Sequence, residues 1–99
     1  MQSQYDPVFS REMACTVQEW LGWLPAAVGE HAWQCDAASA QVFFDHGTLS
    51  LRWRVAPPRV IALMRMPRLL VDFAFEGLDA AQRYQFMRRF DLYMQRGGG

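Results

Sequence analysis

Arginine is the residue type in this chain best suited to binding a partner. All ten basic residues are arginines, and they are balanced by ten acids. The stretch 46–71 contains no Asp or Glu, whereas residues 1–45 hold six acids and a single arginine. The zero net charge therefore hides a dipolar sequence, a property that concerns partners rather than fold. The five arginines of the acid-free stretch are Arg52, Arg54, Arg59, Arg65 and Arg68.

These five arginines predict a basic surface. Arg52 and Arg54 fall on one face of a predicted strand, and the other three lie in predicted turns. Guanidinium groups bind carboxylates and phosphates in bidentate geometry, so we expect an acidic protein partner. Pairing with the chain's own acids, such as Asp72 and Glu76, is the competing interpretation. Nucleic acid is disfavoured because the pI is about 6.7 and Trp53 lies on the buried side of its strand, which leaves no stacking platform.

The residues that could do catalysis or bind metal form no recognisable pattern. Cys15, Cys35, His31 and His46 lack the short paired spacing of structural zinc sites. Cys15 and His46 have no local signature of a nucleophile and its base. The carboxylates are scattered over strands and turns. We therefore predict binding rather than catalysis, with no metal and no cofactor.

The apolar content is high for so small a protein. Of 99 residues, 52% are apolar and 14% aromatic, which is more than one small core hides easily. We expect one domain with either a homodimer interface or an apolar cavity between sheet and C-terminal helix. The candidate interface or pocket residues are Trp23, Tyr84, Met87 and Tyr93.

Targeting signals are not evident. No apolar run approaches about 18 residues, and the first residues lack the layout of a signal peptide. Two cysteines far apart do not suggest a disulfide framework. We expect a cytoplasmic protein with reduced thiols, no membrane contact, and flexible termini at 1–7 and 97–99. The glycine tail resembles that of ubiquitin-like proteins, but it follows a helix here, which favours a simple helix stop.

Hydrophobic periodicity predicts the elements that would position these residues. Thr16 and Glu19 form a capping box before an apolar helical stripe that contains Pro25 and ends at Gly29. Asp79 begins a second helix over 80–95. Alternating segments predict strands over 8–15, 41–45, 49–55, 60–64 and 69–75, and 33–36 is a candidate for a further short strand. Tight turns are expected at 45–48, 56–59 and 65–68.

Together these elements predict an α+β two-layer sandwich. A curved antiparallel sheet of about five strands, in the order β-α-β-β-β-β-α, has the C-terminal helix packed across one face. This order resembles one half of the TATA-binding-protein-like fold and, more loosely, the helix-grip folds that hold lipids or hydrophobic small molecules. The segments REMACT (11–16) and FDLYMQRGGG (90–99) resemble small bacterial proteins of uncharacterised activity. The resemblance implies a fold, and a small-molecule binding protein of helix-grip type as the alternative function.

Overall fold

The computed structural model describes residues 3–96 as five strands and two helices in the expected order. The elements are β1 (Val8–Met13), α1 (Val17–Val28), β2 (Ala32–Cys35), β3 (Ser39–Phe43), β4 (Thr48–Ile61), β5 (Met64–Glu76) and α2 (Ala80–Arg96). All neighbouring strands are antiparallel, and their order across the sheet is β1-β5-β4-β3-β2. The predicted α+β architecture is confirmed.

Both helices cover the same face of the sheet. The Trp20 ring of α1 meets Trp53 of β4 edge-on at 5.5 Å and Phe90 of α2 at 6.0 Å. Phe73 of β5 also packs edge-on against Phe90, at 5.6 Å. The period-two pattern of β4 and β5 directs the large apolar side chains toward these helices, so they form one core.

The caps predicted for the helices are present. The Thr16 hydroxyl accepts a hydrogen bond from the Glu19 amide at 3.1 Å, and the Glu19 carboxylate accepts one from the Thr16 amide at 2.9 Å. Gly29 ends α1 with φ 76°, and the helix runs through Pro25 without interruption. Asp79 and Gln82 form the equivalent reciprocal pair at the start of α2. Satisfied first-turn amides fix where each helix begins.

The predicted turns at 56–59 and 65–68, and the separate strand over 60–64, are wrong. β4 continues to Ile61, and β5 begins at Met64, so the turn is Ala62–Leu63. Ala62 has φ 53°. The register shifts between Ala56 and Arg59, where two prolines of β4 lie opposite one residue of β5. The prolines therefore mark a bulge inside a long hairpin rather than its end.

The turn at 45–48 is confirmed, and a close backbone contact requires Gly47 in it. Gly47 does not adopt a positive φ. It is needed because a Cβ there would lie 2.1 Å from the Glu76 carbonyl oxygen. Gly77, with φ 80°, makes the reciprocal approach to His46. This turn and the β5–α2 connection thus pack backbone against backbone.

Part of the N-terminal segment contacts the sheet, and residues 1 and 2 lie outside the described part of the chain. Tyr5 is buried, and the Pro7 carbonyl accepts a hydrogen bond from the Phe75 amide at 2.7 Å, so residues 5–7 are held to the sheet. The predictions for the glycine tail concern residues 97–99, outside the described part of the chain. Neither helix within residues 3–96 has the length and apolarity required to cross a bilayer.

Candidate functional site: a protruding basic arm

The central hairpin extends well beyond the rest of the sheet. Pairing of β1 with β5 stops at Met13 and Leu69, and pairing of β3 with β4 stops at Ser39 and Arg52. Residues 54–68 therefore form a two-stranded projection, which we call the arm. It contributes to an elongated molecule of 47 × 29 × 22 Å.

The arm exposes apolar side chains at its tip. Leu63 is 102% exposed, and more than half of the surface of each of four other large residues is accessible. Val60, Ile61 and Met64 flank Leu63 at the tip, and Val55 lies at the base of the arm. An isolated two-stranded hairpin is marginal in water, and clustered apolar exposure typically marks a binding surface. The arm thus carries five of the eight large apolar residues that are exposed in the described chain.

Two of the predicted arginines anchor the arm to the sheet. Arg59 donates to the Glu12 carboxylate of β1 at 3.0 Å, and Arg68 donates to the same carboxylate at 2.6 Å. Arg68 also donates to the Pro57 carbonyl oxygen at 3.2 Å. For these two arginines, the interpretation that they pair with the chain's own acids therefore holds.

The other three arginines are more accessible. Arg54 forms an exposed ion pair with Asp72 at 3.5 Å, which contributes at most about 1 kcal/mol. Arg52 lies on the same outer face, in register with Asp72. Within residues 3–96, neither Arg52 nor Arg65 has an ion-pair partner. The basic surface available to a partner therefore consists mainly of these two, with Arg54 in a weak pair.

The predicted interface or pocket residues lie away from the arm. Trp23 is partly buried against the core, and Tyr84 packs near Tyr5 with ring centroids 6.5 Å apart. Tyr93 lies under the Arg89 guanidinium at 4.5 Å. Met87 is fully buried, so it presents no surface to a partner.

The space beneath α2 is filled by side chains. Phe73, Met87 and Phe90 are all fully buried there and belong to the same core cluster. A ligand of the helix-grip kind would need to occupy this region. The packing therefore offers no support for the expected cavity between sheet and C-terminal helix.

An open groove lies at the end of the molecule opposite the arm, and we call it the end groove. It has a volume of about 720 Å³ and is bounded by the start of β2, the turn after β3 and the first half of α2. His31 packs against Phe44 at 4.6 Å and Phe86 at 5.7 Å, which gives the groove an aromatic wall. Glu30 and Asp45 line its rim. Sequence reasoning missed this site because its residues come from separate segments.

A buried charged cluster lies between β1 and α2. The Arg11 guanidinium donates to both carboxylate oxygens of Asp91, at 2.5 and 3.0 Å, and the Tyr5 hydroxyl donates to the same carboxylate. Burial, together with the hydrogen bond to Asp91, raises the pKa of Tyr5 to about 12. Burial alone would lower the pKa of Arg11, but Asp91 outweighs it and the pKa is raised. The cluster ties α2 to the sheet edge.

Asp91 lies on the buried side of α2 although it is charged. The residue is 7% exposed because Arg11, at an inward-facing position of β1, supplies its counter-charge. The sequence did contain a signal for this. Arg11 alternates with Phe9 and Met13 along β1, so it lies on the same face of the strand as these apolar residues.

The thiols are not arranged for catalysis. Cys15 is buried, and desolvation with the nearby charge of Glu19 raises its pKa to about 11. Desolvation and Asp36 also raise the pKa of the exposed Cys35. Cys15 lines a small apolar cleft at the base of the arm, whereas His46 lines the end groove, so the two do not form a nucleophile pair. Residues 3–96 contain no group of three His, Cys, Asp or Glu side chains placed to hold a metal ion.

Comparisons of the chain with protein-family models, curated proteins and solved structures found no match.

Proposed function

We propose that this protein is a non-enzymatic interaction module whose arm docks on an acidic surface of a partner protein. The observation that carries the proposal is the composition of the arm. It contains four arginines and no acidic residue, and its tip is apolar and exposed. Interfaces commonly combine such apolar anchors with arginine, which can stack on aromatic rings and pair with carboxylates.

An acidic protein surface suits the arm better than nucleic acid does. Trp53 is buried and donates its indole N–H to the Ala37 carbonyl oxygen at 3.2 Å, so it is not available to stack on a base. The apolar tip would also gain nothing from contact with a phosphate backbone.

Photo-crosslinking from the arm tip tests the proposal. A photoreactive residue at Leu63 should form adducts in the cell of origin, at acidic segments of the captured protein. The same residue at Arg88, exposed on α2, is the matched control. Raising the salt concentration from about 0.1 M to about 1 M shortens the Debye length from about 10 Å to about 3 Å, so the adducts should diminish.

A charge reversal distinguishes the arm from general electrostatics. Arg65→Glu should weaken capture roughly tenfold, since it converts about one favourable exposed pair into a repulsive one. Arg88→Glu makes the same change in net charge elsewhere and should leave capture intact. Equal yields from positions 63 and 88, or adducts confined to basic segments, would overturn the proposal.

A further inference from the structure

The arm and the end groove lie at opposite ends of one hairpin. The β4–β5 register begins with Thr48 opposite Glu76, beside the end groove, and finishes with Ile61 opposite Met64 at the arm tip. The fourteen residues of β4 are separated by thirteen steps of about 3.3 Å each, which span roughly 43 Å. The arm therefore points away from the groove of its own chain, and any arm that enters a groove must come from another copy.

Charge is polarised along the same direction. The arm contains four arginines and no acid, and the single carboxylate of Glu12 on β1 binds two of these arginines. The groove end of the molecule carries five carboxylates and only two arginines in the described chain. The two arginines are Arg83 and Arg89 of α2. The five carboxylates are Asp6, Glu30, Asp45, Glu76 and Asp79. The two ends of the molecule are thus complementary in charge.

The end groove also matches the arm tip in chemistry. Its wall of His31, Phe44 and Phe86 is aromatic, and its charged lining residues are Glu30, Asp45 and Arg89, so carboxylates outnumber guanidinium groups there. An apolar tip flanked by arginine would place aliphatic side chains against the rings. Arginine would then meet the carboxylates or stack on an aromatic face.

We infer that the end groove of one copy receives the arm of a second copy, so that the chains assemble head to tail. The inference rests on the proposed function of the arm and specifies its partner. Arm-to-arm pairing, as in a symmetric homodimer, is opposed by the repulsion between two acid-free basic hairpins. Head-to-tail contacts use different surfaces on the two partners and continue into rings or open chains.

Complementary variants test the assembly. The arm variant Leu63→Ser/Arg65→Ser and the groove variant Glu30→Arg/Asp45→Arg alter only exposed side chains, so both should keep the near-UV circular dichroism of the parent. Sedimentation velocity from about 1 μM to about 1 mM covers the range in which small interfaces dissociate. Arg88→Glu serves as a control that should assemble like the parent.

The parent chain should form species that grow with concentration beyond two copies. Each variant alone should remain at the 11.5 kDa of one chain. Their equimolar mixture should form a one-to-one complex of twice that mass and stop there, because one intact arm and one intact groove remain.

Three results would overturn the inference. First, the parent chain could stay monomeric at about 1 mM. Second, the groove variant could assemble like the parent. Third, the equimolar mixture of the arm and groove variants could stay monomeric. If crosslinking from Leu63 still captures another acidic protein, the proposed function survives the loss of this inference. If Leu63 captures nothing above the Arg88 control, both fail.

Discussion

Arg11 occupies a position where an apolar side chain is expected, between Phe9 and Met13 on the inward face of β1. Its guanidinium lies 5.5 Å from the Phe9 ring centroid and 5.3 Å from that of Phe73. The charge is tolerated because Asp91 binds it with two hydrogen bonds. Removing one member of such a pair is costlier than removing both, since it leaves an uncompensated buried charge.

We therefore expect Arg11→Met to lower the free energy of unfolding by about 3 kcal/mol. The double variant Arg11→Met/Asp91→Asn should return to within about 1 kcal/mol of the parent, because Asn still accepts the Tyr5 hydrogen bond. Urea unfolding of the single and double variants measures this. A double variant that loses the sum of the single losses would show that the residues stabilise the fold independently.

Tyr5 should make stability fall at high pH. Its pKa is raised to about 12, above the value of about 10 for an unfolded tyrosine. Folding therefore favours the neutral phenol. The neutral phenol contributes about 2–3 kcal/mol to the free energy of unfolding. This stabilisation is fully present below about pH 10 and is lost as the pH rises from about 10 to about 12.

Comparing urea unfolding of the parent and Tyr5→Phe over this pH range isolates the effect of Tyr5. The parent should lose more stability than the variant. Cys15, whose pKa is raised to about 11, contributes a loss of the same sign to both proteins. Parallel pH curves for the two would exclude the Tyr5 assignment.

At the scale of elements, the contact between the β3–β4 turn and the β5–α2 connection depends on two glycines. A Cβ on Gly77 would lie 2.3 Å from the His46 carbonyl oxygen, and its φ of 80° is unfavourable for alanine. Gly77→Ala should cost about 3 kcal/mol. Gly22→Ala is the matched control. Gly22 is at an exposed position of α1, and nothing lies within 4 Å of its Cβ position, so this substitution should stabilise the fold by about 1 kcal/mol. Thermal unfolding of both variants should give shifts of opposite sign.

The arm should open independently of the rest of the sheet. Residues 54–61 pair with β5 alone, whereas residues 49–52 have neighbours on both sides. We expect the hydrogen-bonded amides of the arm to exchange with local opening free energies below about 2 kcal/mol. Those of residues 49–52 should approach the global value, about 5 kcal/mol or more. Equal protection by hydrogen-exchange mass spectrometry would mean that the arm is held by contacts along its whole length.

Most elements were predictable from the sequence because caps and periodicity are local signals. The capping pairs beginning at Thr16 and Asp79 locate both helices, and the alternation over 49–53 gives the core strand. The arm was missed because Pro57, Pro58 and Pro67 are typical of turns. Prolines are tolerated in an edge strand. Whether a strand is an edge depends on where its neighbours end, and that depends on distant pairings such as Met13 with Leu69.

The candidate sites show the same division between local and distant information. The sequence identified the arginines and the exposed face of Arg52 and Arg54. It did not predict that Glu12 binds Arg59 and Arg68, because these residues are about fifty positions apart and meet only through the sheet. The end groove likewise requires His31, Phe44 and Phe86 to be brought together by three elements.

At the scale of the whole molecule, separation of charge makes the response to salt informative. A basic arm at one end and a carboxylate-rich groove at the other attract over distances set by the Debye length, about 10 Å at 0.1 M and about 3 Å at 1 M. If charge steers the ends together, self-association of the parent should weaken across this range of sodium chloride. Leu63→Ser should weaken it at every concentration without changing the salt dependence, since it removes apolar contact and no charge. Sedimentation velocity on the two proteins separates these contributions.

Association that strengthens with salt would instead mean that apolar burial at the tip dominates, and that the polarised charge sets only the orientation of the copies.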